Sequence, residues 1–379
     1  MSIANGNNEV LLHEYQQRRS SVASFPIIMY LESVRGCPLS CIMCSVPERQ
    51  GRDPRDIDTA LLRKVEPYFK YLELLGIHGA GEPLLSKNLD FFIDAATANA
   101  CILHFSTTAT YLKPRVADRL LATKLSIVFS IHAGTSDTYR KIMGADLNRI
   151  IENVGYLTRR SNELGRRDND FYFSYIVMKE NIHEIDQFLR LADRAGVHRV
   201  RFMGLLPTKK IVLGTKREGT QFTFSYFDQC NRDVQDEFLA QMPRITALAT
   251  DLGIQIAPGS MEFAAQQHAS GRVLLNEVYR KVVPETNIFP LRKRSGSCIA
   301  PWMGQVHIYQ SGDVGLCCNT SYTLGNLFEK DFADIWNDYR MRCIRDEFRN
   351  GVVPRACGYC KGIQADEYPI ELLRQVELV

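Results

Sequence analysis

From residue 27 onward the chain alternates between short apolar runs of strand length and longer stretches of helical period. The apolar runs fall at 27–31, 71–77, 102–105, 125–131, 171–178 and 197–203, and the helix-period stretches at 59–69, 89–98, 114–122, 147–164 and 184–195. This alternation predicts βα units on a parallel sheet, because parallel neighbours need long crossovers and the crossovers cover both faces. Boundary residues agree. Gly196 stops the helix that ends in Arg194-Ala195, and Asn181 is placed to cap the helix after it. Six such repeats without a Gly-x-Gly-x-x-Gly opening predict an α/β fold, an open or partial (β/α)6 TIM-like barrel. Active sites on such barrels lie at the C-terminal ends of the strands.

The rhythm covers 26–205, with a polar stretch at 1–25 before it that suits one short helix and a loop. After Met203 it stops. Residues 205–222 suit a basic loop or hairpin, 226–252 a long amphipathic helix and 253–257 a short strand, while 258–296 is irregular. Residues 206–296 therefore read as a final helix plus an insert, a possible substrate lid with Phe222, Phe224, Tyr226 and Phe227 as lining aromatics. The basic run at 292–294 reads as a solvated face. A compact cysteine-containing module occupies 297–379. Within it, 306–317 reads as a β-hairpin turning at Ser311-Gly312-Asp313, followed by a helix near 332–350.

Composition narrows the class. At 45% apolar and 23% charged residues, the 379-residue chain matches globular proteins and excludes disordered, collagen-like and coiled-coil chains. A formal charge of +3 is too small to make nucleic acid the default partner. No apolar run approaches the roughly 20 residues of a membrane helix. The first residues lack a basic start followed by an apolar stretch, so a cytoplasmic location is expected.

The eleven cysteines are clustered. Cys37, Cys41 and Cys44 fall in the loop after the first strand, and Cys298, Cys317, Cys318, Cys343, Cys357 and Cys360 fall late in the chain. A reducing cytosol disfavours disulfides, so clustered thiols read as metal ligands. Structural zinc takes four ligands. Three thiolates without an evident fourth suit a [4Fe–4S] cluster that leaves one iron open for chemistry.

Cys-x-x-x-Cys-x-x-Cys after the first strand of a βα barrel resembles the radical S-adenosylmethionine (radical SAM) enzymes. His78-Gly79-Ala80-Gly81-Glu82-Pro83 resembles that family's Gly-Gly-Glu-Pro stretch, with Ala80 between the glycines. Ser106-Thr107-Thr108-Ala109 stands where the family often has Thr-Asn-Gly, and Phe129-Ser130-Ile131-His132-Ala133-Gly134 where it has Ser-x-Asp-Gly. The resemblance implies that the open iron chelates S-adenosylmethionine, and that reductive cleavage gives a 5′-deoxyadenosyl radical that abstracts hydrogen from substrate. It implies cofactor contacts from Met43, Gly79, Gly81, Glu82, Thr107, Ser130, Arg140 and Met203. Ser130 and Arg140 are placed to hold the carboxylate, a task that suits a guanidinium fork.

The late module resembles the auxiliary-cluster domains of one branch, called SPASM and, in a shorter form, twitch. The shared features are Cys-x-x-Pro-Trp at 298–302, Gly-Asp-x-x-x-Cys-Cys at 312–318, Leu-Gly-Asn-Leu at 324–327, Ile-Trp-Asn at 335–337 and Cys-x-x-Cys at 357–360. The four-cysteine form implies one auxiliary [4Fe–4S] cluster on Cys298, Cys317, Cys357 and Cys360. A zinc site with four thiolate ligands fits the same residues. Cys318 is either a core residue or a radical-quenching thiol, while Cys101, Cys230 and Cys343 read as core.

A complete auxiliary cluster suits electron relay. The leading expectation is dehydrogenation of a hydroxylated small molecule, sugar- or aminocyclitol-like, by a radical SAM oxidoreductase. The alternatives are an epimerase or a ribosomal-peptide-modifying enzyme and, in another class, a zinc-stabilised binding protein. Expected partners are a small-molecule or peptide substrate and a low-potential donor such as flavodoxin or ferredoxin, with neither nucleic acid nor membrane. A base is sought among His132, Glu180, Lys179 and the residues of 206–296.

Overall fold

The computed structural model describes residues 3–44, 54–79, 81–205, 212–217, 220–230, 232–257, 298–317 and 320–357. All six expected strands form: β1 Ile28–Glu32, β2 Leu74–His78, β3 Ile102–Thr107, β4 Leu125–Ser130, β5 Asp170–Val177 and β6 Arg199–Gly204. Four shorter strands complete the sheet: β7 Gln255–Ile256, β8 Val306–Ile308, β9 Asp313–Gly315 and β10 Thr323–Asn326. The order is β7-β6-β5-β4-β3-β2-β1-β8-β9-β10. Every pairing from β7 to β8 is parallel, and the β8-β9-β10 meander is antiparallel. The late module is thus continuous with the barrel sheet, joined to β1 through β8.

The helices are α1 Ile3–Gln16, α2 Thr59–Val65, α3 Leu89–Ala98, α4 Pro114–Leu120, α5 Ser136–Met143, α6 Leu147–Glu163, α7 Ile185–Arg194, α8 Arg232–Asp251, α9 Phe332–Trp336 and α10 Tyr339–Arg349. All of these but α1 pack into the main core. Alternate strand residues such as Leu31, Ile77, Phe105, Phe129 and Phe173 are fully buried in one large apolar cluster with helix residues Leu61, Phe92 and Phe188. Each side chain so buried stabilises the fold by about 1.5–3 kcal/mol. The other sheet face differs. Ile28, Tyr30 and Leu74 join Leu11, Ile299 and Met303 in a small separate cluster that plugs its lower end. Above the plug that inward face carries His78, His104, Ser126 and Ser130, positions that alternate with the helix-facing ones.

The N-terminal stretch straps barrel to module. Glu14 on α1 accepts from Ala23 N at 2.6 Å and from Ser24 Oγ at 2.6 Å. Val22 N donates to Asn337 Oδ1 at 3.0 Å, and the Trp336 indole donates to Ser24 O at 2.9 Å. Arg345 on α10 is fully buried, donates to Pro301 O at 2.8 Å and Ser20 O at 3.1 Å, and lies over the Trp336 ring. Burial lowers its pKa to about 9, with Glu14 opposing the shift.

Three local expectations change. Asn181 does not cap the following helix; its amide donates to His132 O and Ile176 O, each at 2.8 Å, and so ties the ends of β4 and β5 together. The helix expected over 226–252 begins with a single turn, Tyr226–Gln229, before α8. The hairpin expected in 205–222 is shifted, pairing Val212–Arg217 with Thr220–Ser225. Among the described residues no helix is long and apolar enough to cross a membrane.

Candidate active site

The thiolate loop leaves β1 through a short ribbon, Val34–Arg35 paired with Arg55–Asp56, and meets the β2 loop at a Gly36–Gly81 bridge. Glu82 N donates to Gly36 O at 3.2 Å. On its other side, Ile42 N donates to Ile142 O at 2.9 Å, and the Cys41 thiol approaches Met143 O at 3.8 Å, at the end of α5. Cys37, Cys41 and Cys44 are all partly exposed on this loop. The Cys37 thiol is pushed up to about 11, first by burial and further by Glu82 and Cys44, against a lowering hydrogen bond from the Leu39 backbone. In the metal-free chain it is a thiol, and a bound metal deprotonates such a ligand outright.

Among the described residues no three His, Cys, Asp or Glu side chains stand close enough to hold a single ion. A cubane spreads its thiolates over different irons, so its ligands stand farther apart than those of one ion. Three thiols on one loop, partly exposed at the strand ends, fit that donor chemistry.

The glycines serve the chain itself. A Cβ on Gly81 would lie 2.4 Å from Val34 O and 2.8 Å from Gly36 O, and one on Gly79, at φ +152°, 2.7 Å from Glu32 Cγ. They let the β2 loop press against the root of the thiolate loop, where the sequence suggested close approach to a ligand. Ala80 lies outside the described residues. Glu82 is buried and spent internally. Its carboxylate accepts from Thr107 Oγ1 at 2.5 Å, Thr108 N at 3.0 Å, Thr108 Oγ1 at 2.9 Å and Leu84 N at 3.3 Å. Glu82 and Thr107 therefore bind each other and position the loop. Burial still raises the Glu82 pKa, against these four donors.

At the end of β4, Ser130 is half-buried, and its carbonyl accepts from the buried Tyr139 hydroxyl at 3.4 Å. Arg140 is half-exposed on the next turn of α5, with a 3.6 Å ion pair to Asp137. Met43 is buried, and Met203 is half-buried on β6 opposite Ile176. His132 is a poor base. Its Nδ1 accepts from Ile176 N at 3.2 Å, and burial lowers its pKa to about 4. Glu180 is ion-paired to Lys141, and its backbone N–H donates to Gln229 Oε1 at 2.9 Å. Lys179 N donates to Gln229 O at 2.9 Å, which pins the same loop.

Two positioning residues were not foreseen. Glu184 is buried and accepts from Gly134 N at 2.8 Å, Thr135 N at 3.1 Å and Thr135 Oγ1 at 2.7 Å, clamping the loop after β4. Thr135 in turn caps α5 through Thr138 N, and that Thr-x-x-Thr spacing was the available signal. Glu32 ends β1 buried, pairs with Arg35 Nε at 2.9 Å and accepts from Gln310 N at 3.1 Å. The β8–β9 turn of the late module thus docks at the base of the thiolate loop.

In that module Cys317 and Cys357 are buried and Cys298 is half-buried; Cys357 packs in the main core and Cys298 against it. Cys318 and Cys360 lie outside the described residues, as does the whole of the 258–296 insert. Cys101 and Cys230 are buried, and burial pushes the Cys101 thiol up to about 12, as suits an inert core residue. Cys343 is half-buried on α10. Phe224, expected as a lid aromatic, is buried in the main core; the side chains of Phe222, Tyr226 and Phe227 are outside the described residues.

A partial βα barrel whose first strand runs into a three-cysteine loop, with a cysteine-bearing meander on the same sheet, defines a radical SAM protein with an auxiliary-cluster domain. The comparisons agree: residues 31–192 match the Radical SAM superfamily, and 298–361 match SPASM, an iron–sulfur cluster-binding domain. The chain thus carries a radical SAM domain and, C-terminal to it, a SPASM domain. These two domain matches support S-adenosylmethionine and iron–sulfur clusters as its cofactors.

Among curated proteins it is 26% identical over 177 residues to the mycofactocin maturase MftC of Mycobacterium ulcerans, covering 45% of each chain. It is 23% identical over 233 residues to the PqqA peptide cyclase of Bradyrhizobium diazoefficiens, covering 58% of this chain and 57% of that one. The matches thus span about half the length of these relatives. Among solved structures, Streptococcus suis SuiB bound to S-adenosylmethionine superposes with a TM-score of 0.57 at 17% identity, over 90% of this chain and 72% of that one. That likeness shows the shared fold.

Proposed function

We propose that the chain is a radical SAM enzyme that modifies a peptide. The observation that carries this reading is the pairing of both domains with relatives named as a maturase and a peptide cyclase. A solved structural neighbour, SuiB, is described bound to its precursor peptide SuiA. These names favour the peptide alternative over dehydrogenation of a sugar or aminocyclitol.

When bound, the cofactors supply a 5′-deoxyadenosyl radical for hydrogen abstraction and an auxiliary electron site. The chain's residues do the rest. Cys37, Cys41 and Cys44 hold the first cluster, and Cys298, Cys317, Cys357 and Cys360 hold the second. Ser130 and Arg140 receive the cofactor carboxylate, and Met43 and Met203 line its adenosine side. Gly79, Gly81, Glu82 and Thr107 fix the loop against which the thiolates stand. Glu180, at the mouth and paired with Lys141, is the better placed proton acceptor, since His132 is committed to the β5 backbone. A flavodoxin or ferredoxin supplies the electron.

The test is anaerobic incubation of the reconstituted, reduced protein with S-adenosylmethionine and the short peptides encoded beside its gene. Formation of 5′-deoxyadenosine in step with a mass change in a peptide supports the reading. Conversion of hydroxylated small molecules, with every peptide unchanged, overturns it.

A further inference from the structure

The inward face of the barrel carries a polar row that the strand-end loops do not use. Tyr30 on β1 stands opposite Gly76 on β2 and His307 on β8, and Gly76 stands opposite His104 on β3. His78 lies at the next inward position of β2. The Tyr30 ring centroid is 4.8 Å from that of His78 and 4.9 Å from that of His307, and His78 is 5.1 Å from His104. Gly76 makes the arrangement possible, since a Cβ there would lie 2.0 Å from Tyr30 Cδ1. A glycine inside a central strand weakens it, and here it marks a ring laid across the backbone.

Hydrogen bonding in this row is incomplete. His104 Nδ1 meets Ser126 O at 2.9 Å and Ser126 Oγ at 3.0 Å. His78 Nε2 and His307 Nε2 are buried with no partner among the described residues. Burial lowers the pKa of His78 to about 3 and those of His104 and His307 to about 4, so all three are neutral. The floor beneath is apolar, formed by Leu11, Ile28, Leu74, Ile299 and Met303. Upward, His78 leads directly into Gly79 and the loop that supports the thiolates. Apolar side chains would fill positions 78 and 307 at lower cost, because an unpaired buried nitrogen is penalised.

We propose that His78 and His307 form a specificity site in the barrel lumen that takes an uncharged hydrogen-bonding group of the substrate, a hydroxyl or a carboxamide. A neutral imidazole offers one donor and one acceptor, which match such a group. A carboxylate or ammonium would enter without a counter-charge and be rejected by its desolvation. The identity of the guest as a peptide side chain rests on the reading above; the site itself does not.

The test uses the reconstituted holoprotein with S-adenosylmethionine and 15N-labelled histidine. The Nε2 resonances of His78 and His307 are assigned with His78→Phe and His307→Phe. The probes are N-acetylserine amide and N-acetylglutamine amide against N-acetylaspartate amide and N-acetyllysine amide. The neutral probes should shift both resonances saturably, and the charged probes should bind at least about tenfold more weakly, the order expected for one buried hydrogen bond. Each Phe variant should weaken the neutral probes by a similar factor. Resonances that no probe moves, including ones already hydrogen-bonded in the free protein, overturn the proposal, as does equal binding of charged probes. If a variant does not fold, assignment passes to the conservative His→Gln exchange, and the wild-type titration decides. Probe binding without modification of any peptide would remove the peptide reading and leave this site standing.

Discussion

Acidification should destabilise this fold steeply through four histidines, His104 and His132 buried and His78 and His307 half-buried. His78, His104, His132 and His307 have folded pKa values of about 3, 4, 4 and 4, each lowered first by burial from the ordinary 6.5. The unfolded chain therefore binds more protons than the folded one between pH 6.5 and 4. Stability from these groups is fully present above pH 6.5 and is lost as pH falls toward the folded values. At pH 5.5 an unfolded histidine is about nine-tenths protonated and each of these four, folded, is neutral. The loss is then about 5 kcal/mol for the four together, at roughly 1.4 kcal/mol per pK unit. The figure hardly changes for any folded pKa below about 5. It rivals a domain's whole stability of about 5–15 kcal/mol. Glu82 runs the other way, because burial raises its pKa and its ionised form is disfavoured in the fold. One group does not offset four. The assay is urea unfolding of the cluster-free chain at pH 7.5, 6.5 and 5.5, followed by tryptophan fluorescence and circular dichroism. The midpoint should fall a little from 7.5 to 6.5 and sharply from 6.5 to 5.5. A midpoint constant down to pH 5.5 would refute the claim that these imidazoles are neutral in the fold.

Three further predictions follow from single contacts. Gly81→Ala forces its Cβ against Val34 O and Gly36 O, both backbone, so it should cost about 1–3 kcal/mol in thermal denaturation and lower the iron held after reconstitution. Glu82→Gln places an amide among donors from Thr107, Thr108 and Leu84; it should cost about 1–3 kcal/mol, and a melting curve equal to wild type would contradict the buried carboxylate. Arg345→Ala strips the Pro301 and Ser20 carbonyls of their shared donor, and should cost about 2–3 kcal/mol and speed amide exchange in residues 17–25, which unaltered exchange would exclude.

The strands and the thiolate loop were legible because each is local. Period-two and period-3.6 patterns set the βα units, and Cys37, Cys41 and Cys44 sit within one loop. What was not legible is long-range. Asn181 carries a cap residue's signature, yet its amide reaches His132 O and Ile176 O, and that choice depends on where β4 ends. Gly81 reads as a glycine needed for close approach, and only the fold shows that Val34 and Gly36 stand beside it. His132 stands where an acidic residue was expected, and only the neighbouring β5 backbone shows that its ring is engaged. The pairing of His307 with Tyr30 joins residues 277 positions apart in the chain, through a β1–β8 contact that no local pattern announces. The choice between small molecule and peptide was beyond the motifs, since both use the same cluster ligands.

The most direct test of the account is iron, sulfide and zinc per chain after anaerobic reconstitution, on the wild type and on the Cys37/Cys41/Cys44→Ala triple variant. Two four-iron clusters predict about eight irons in the wild type and about four in the variant, without zinc. Equal iron in the two proteins, or zinc in place of iron in both, would contradict an open cluster on the first loop and a closed one in the late module.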